Sequence, residues 1–183
     1  MKISKYLITA LFASMFGIAS MSVFADVDTD DFIEDASAKN IAEVEAGKLA
    51  LEKSTNPSVK KFAQKMISDH TASNTSLRSL ASKKNVEMAD DAELVSQAKE
   101  AILKQYDGES FDVAYANNQV KAHKAAIELY QDASKSKDTE VRGYAVAGLT
   151  KIQHHLKEAE ALVSELAKNS KNIDSEADYE DAE

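Results

Sequence analysis

Cysteine and tryptophan are absent from the 183 residues, and proline occurs once. Without cysteine the chain has no disulfide, no thiolate ligand, no sulfur nucleophile and no cysteine to carry a lipid. Only five glycines are present, and none lies in a phosphate-cradling loop. Positive charge is also scarce, with 22 Lys and Arg against 31 Asp and Glu, for a formal charge of −9. That balance opposes binding to nucleic acid or anionic lipid. No serine-based constellation with the spacing of a nucleophile and its base is visible.

Sparse Gly and Pro, together with abundant Ala, Lys, Glu and Leu, predict an all-α domain. The first 25 residues read as a cleaved signal peptide. Lys2 and Lys5 give a positive start, Tyr6 to Ala19 an apolar run, and Val23-Phe24-Ala25 a cleavage site. An uncleaved anchor is the alternative, because the apolar run approaches the length of a membrane span. Cleavage removes two lysines, moves the formal charge from −9 to −11, and leaves no stable membrane insertion. Residues 26–168 are then expected to form one bundle domain in the periplasm, and the acidic residues 169–183 a disordered tail.

Apolar spacing of three and four predicts four long helices. The first, about Asp30 to Ser54, carries Ile33, Ala36, Asn40, Glu43 and Gly47 on one face. Asn56-Pro57 reads as an N-cap followed by a first-position proline. The second helix, to about Lys84, carries Val59, Phe62, Met66, His70 and Leu77. A long connection follows, with a short helix expected from Asp91 to Gln105, and Asp107-Gly108 breaks the chain. The third helix, about Glu109 to Ser134, is assigned Val113, Ala116, Val120, His123, Ile127 and Tyr130. The fourth, about Thr139 to Ala167, is assigned Val141, Ala145, Ile152, His155, Ala159 and Leu162. The expected fold is an up-down four-helix bundle with one long connection between helices two and three.

Four polar residues interrupt these apolar stripes: Glu43, His70, His123 and His155, one on each helix. Counting residues from the turns places Glu43, His70 and His123 in one layer if the helices run up, down and up. The same count leaves His155 about 6 Å further along. Three imidazoles and a carboxylate suit a divalent transition metal such as Zn, Fe, Mn or Cu. A hydrogen-bonded polar layer that sets helix register, with no metal, is the competing expectation. Asp69 is a candidate outer acceptor for His70, and Glu158 one for the histidine pair on helix four, with His154 and Glu158 forming a surface pair. Met66 is read as core, and the Tyr115 hydroxyl is expected at the bundle edge.

The run Asn40-Ile41-Ala42-Glu43-Val44-Glu45-Ala46-Gly47-Lys48-Leu49-Ala50 resembles a bacterial family of exported domains. So do Asn56-Pro57, Lys61-Phe62-Ala63-Gln64-Lys65-Met66-Ile67, Asp69-His70, Phe111-Asp112-Val113-Ala114-Tyr115, His123 and His155-Leu156-Lys157-Glu158-Ala159. That family is of unknown function and is often labelled "predicted outer membrane protein". The resemblance covers about Asp30 to Leu166 and implies an exported ferritin-like bundle linked to envelope stress. It supplies no reaction. Thr150 departs from it, standing where the family often has proline. A di-iron enzyme needs Glu-x-x-His pairs, and the chain has none.

Three functions remain open from the sequence. The first is a non-enzymatic periplasmic bundle with a stress-related or binding role. The second is a metal-binding protein using Glu43, His70, His123 and His155. The third is an interaction module for an envelope protein partner. Oligomeric state is not legible.

Overall fold

The computed structural model describes residues 28–90 and 103–180, with side chains placed as far as 169. Four helices make up the described bundle: α1 (Thr29–Lys53), α2 (Pro57–Lys84), α3 (Gly108–Ala133) and α4 (Thr139–Glu180). The expected signal peptide and almost all of the expected short helix from Asp91 to Gln105 lie outside the described residues.

Local chemistry sets the helix ends. Asn56 accepts from the amides of Ser58 and Val59, and Pro57 occupies the first turn of α2, where a missing N–H costs nothing. Asp138 likewise accepts from the amides of Glu140 and Val141 at the start of α4. The left-handed break before α3 falls to Gly108, at φ +55°. Thr150 leaves α4 uninterrupted. The helix continues to Glu180 rather than ending near Ala167; its last buried side chain among those described is Leu166.

Helix α1 packs on α2 and on α3, and α4 packs on α3 and on α2, so α1 and α4 are diagonal. Two ties set the directions. Lys53, at the end of α1, bonds the carbonyls of Lys104 and Tyr106 and the carboxylate of Asp107, just before α3. Lys84, at the end of α2, pairs with Asp138 and Glu140 at the start of α4. The helices therefore run up, down, down and up. The layer count from sequence treated α2 and α3 as antiparallel neighbours, but the two ties put the start of α3 at the opposite end of the bundle from the end of α2 and make them parallel. Its count survives because His70 lies at the middle of α2, 13 residues from its start and 14 from its end, so either direction sets it level with His123, 15 residues into α3.

Two apolar clusters fill the ends of the bundle. Phe62, Met66, Phe111, Tyr115 and Leu162 belong to one, and Phe32, Leu77, Leu80, Tyr130 and Val141 to the other. On α3 the buried face is rotated from the expected stripe. Val113 is exposed, while Phe111, Asp112, Tyr115 and Gln119 are buried. Both stripes have helical spacing; pairing with Phe62 and stacking on Phe111 turn Tyr115 inward.

Candidate metal centre

Between the apolar clusters each helix contributes one buried ionisable side chain: Glu43 from α1, His70 from α2, His123 from α3 and His155 from α4. All are buried, the three imidazoles to 7%, 1% and 3% exposure in chain order. One ring nitrogen from each of His70, His123 and His155 lies within 4.8 Å of the other two. Their ring centroids are 5.4 to 5.7 Å apart. The sequence count set His155 a turn away, and the structure closes that gap. Cα–Cβ bonds tilt towards the helix N-terminus, and α3 and α4 are antiparallel, so His123 and His155 lean towards each other along the axis.

Each imidazole has one nitrogen committed to a protein acceptor. His70 Nδ1 donates to Asn40 Oδ1 at 2.8 Å. Asn40 is oriented for this because its amide nitrogen donates to Ser73 Oγ and Asn74 Oδ1. His123 Nδ1 donates to the carbonyl of Gln119 at 2.8 Å, one turn back. His155 Nε2 donates to Asp69 Oδ2 at 2.9 Å. An amide oxygen, a carbonyl and a carboxylate can only accept, so the tautomers follow. The remaining nitrogens, His70 Nε2, His123 Nε2 and His155 Nδ1, are buried and without a partner.

Burial keeps the His70 and His155 rings neutral. His70 is pushed down to about 3 by desolvation, helped by His123 and His155. His155 is pushed down to about 4 by desolvation, against the pull of Asp69. Asp69 itself is held below the usual carboxylate range: burial opposes this, but the His155 hydrogen bond and Lys65 prevail.

Asp69 therefore serves His155, across from its own helix, and not His70 as its sequence neighbourhood suggested. Glu158 sits one step further out. It pairs with Lys65 at 2.8 Å and His154 at 3.3 Å, and Lys65 reaches Asp69 at 3.5 Å. Glu43 lines the same cavity as the three histidines, yet its carboxylate is not among the atoms gathered within 4.8 Å. One of its oxygens is buried without a partner.

Asn40 was placed on the α1 stripe by its spacing, but its partnership with His70 was not visible there. Gln119 was missed. The available signal was its position four residues before His123, on the face that carries it. The Tyr115 hydroxyl is fully buried and unpartnered instead of lying at the bundle edge. Burial and the nearby Glu43 charge push its pKa well up. Met66 is core.

The chain belongs to the family described as "Domain of unknown function (DUF4142)", which matches residues 19–162. No curated protein matches it. Among solved structures it is similar to a DUF305 protein from Streptomyces coelicolor, described as secreted. That likeness has 12% identity and a TM-score of 0.64, over 74% of this chain and 91% of that one. It is also similar to CopM in its Cu(I)-bound form, with 14% identity and a TM-score of 0.57, over 81% and 99% of the two chains. The Ag-bound form of CopM gives 15% identity and a TM-score of 0.56, over 80% and 97%. At these identities the shared property is the four-helix fold. No described helix is long and apolar enough to cross a membrane.

Proposed function

We propose that this member of a family of unknown function is an exported metal-binding bundle, holding one transition-metal ion through His70 Nε2, His123 Nε2 and His155 Nδ1. The observation that carries this is the division of labour within each ring. One nitrogen of each is fixed by a protein acceptor, and the other is buried with nothing to bond. Metal-ligating histidines are oriented in this way by carboxylates, amides and backbone carbonyls. A register-setting polar layer would instead satisfy both nitrogens, because each buried unpaired group costs about 1–3 kcal/mol.

Imidazole ligands without thiolate suit copper, zinc, iron or nickel. Copper is the first candidate, supported by the fold shared with CopM, which has been solved with copper and with silver. The signal-like N-terminus and the secreted DUF305 neighbour support export. Asp69 and Asn40 act as positioning residues, and storage, delivery or protection of the cell envelope from metal stress is the role in view.

Thermal unfolding of untagged protein tests the assignment. Excess Cu or Zn should raise stability, by about 4 kcal/mol at a thousandfold excess over Kd. His123→Ala should remove the gain. A wild-type protein whose unfolding no transition metal shifts would end the proposal.

A further inference from the structure

Three imidazoles do not complete a coordination sphere. Sites with three protein ligands leave a fourth position to water or a substrate. The cavity lined by Glu43, His70, His123 and His155 has a volume of about 180 Å³. A water molecule's share of liquid volume is about 30 Å³, so the space exceeds what a lone ion needs. Its wall includes the small side chains of Ala42, Ala122 and Ala125, together with Lys39 and Lys151. Glu43 brings into this space a buried carboxylate oxygen that bonds to nothing else.

Building on the metal-binding proposal, we infer that the site keeps an exchangeable fourth position. A metal-bound water donating to Glu43 fills it at rest, and a small anion entering past Lys151 displaces that water. Glu43 is then the acceptor that holds the fourth ligand rather than the fourth ligand itself. This accounts for its place in the cavity but outside the cluster of nitrogens. Lys39 and Lys151 offset the carboxylates of Glu43 and Asp69 in this lining, so the cavity does not share the repulsion of anions that the net charge of −9 gives the chain as a whole.

Azide titration of the Co(II)-loaded full chain tests this through the visible absorption of the metal. One azide per cobalt should shift the bands saturably, with cobalt still bound after desalting. Lys151→Glu should weaken azide about threefold through the reversed charge. Glu43→Gln should tighten it, because an amide does not repel the anion. Bands that azide leaves unmoved in loaded wild-type protein would overturn the inference and leave the metal site standing. So would a response seen only in Glu43→Gln, since Glu43 would then be a direct ligand. Loss of cobalt to azide also counts against it. Failure to load any cobalt, copper or zinc would remove both proposals.

Discussion

Asn40 Oδ1 accepts the Nδ1 proton of His70 at 2.8 Å, linking α1 to the middle of α2. The bond fixes which nitrogen of His70 faces the cavity. Ser73 and Asn74 hold the amide in turn, and Ser73 Oγ lies 3.0 Å from the Tyr144 hydroxyl. The network thus reaches from the histidines to α4 without involving a charged group.

Replacing Asn40 by Ala should leave the bundle folded but free the His70 ring to rotate and change tautomer. Loss of such an orienting partner weakens metal binding by about 10- to 100-fold. Competition against a chelator of known affinity measures this. Unchanged affinity would mean that His70 is not a ligand.

Acid should destabilise the metal-free protein well before its carboxylates titrate. His70 and His155 lie at about 3 and about 4 in the folded chain, against about 6.5 when unfolded. Between those values the unfolded state binds more protons, so stability is full above about pH 6.5 and falls as pH drops. The slope is about 1.4 kcal/mol per pH unit for each such histidine. Urea unfolding from pH 7 to 4.5 should show it, and His70→Leu should make the profile shallower. A flat profile would contradict the burial of neutral rings.

Gly148→Ala should be destabilising although alanine is the better helix former. A Cβ there would run into Tyr130 Cε1 and Cδ1, and Tyr130 is itself held edge-on against Phe32. Overpacking of this kind costs about 1–3 kcal/mol, against a gain of about 1 kcal/mol in helix propensity. A melting temperature at or above wild type would show that the ring moves freely.

Tyr115→Phe should cost nothing and raise stability by about 1 kcal/mol, because it removes a buried hydroxyl with no partner. Urea unfolding decides the sign. A loss of stability would reveal a bound water or a carboxylate bonded to that hydroxyl.

Much of this organisation was legible in the sequence. The four polar interruptions fell on apolar stripes, and periodicity alone assigns such positions to the interior. Asn56-Pro57 marked the start of α2 because capping is local chemistry. What could not be read was relative placement. The direction of α3 depends on the path of a connection whose length allows either end of the bundle. The closeness of His155 depends on side-chain tilt in antiparallel helices, which residue counting ignores. Val113 was assigned inward, and Gln119 was passed over, because α3 offers two stripes of equal spacing. Tertiary packing of Tyr115 on Phe111 and Phe62 chooses between them.

The most direct test is X-ray absorption at the metal edge of the one-to-one copper or zinc complex. Three imidazole nitrogens at about 2.0 Å should dominate the first shell, one should disappear in His123→Ala, and no sulfur should contribute. A sulfur shell, fewer than two imidazoles, or a spectrum unchanged by that substitution would contradict a centre built from His70, His123 and His155.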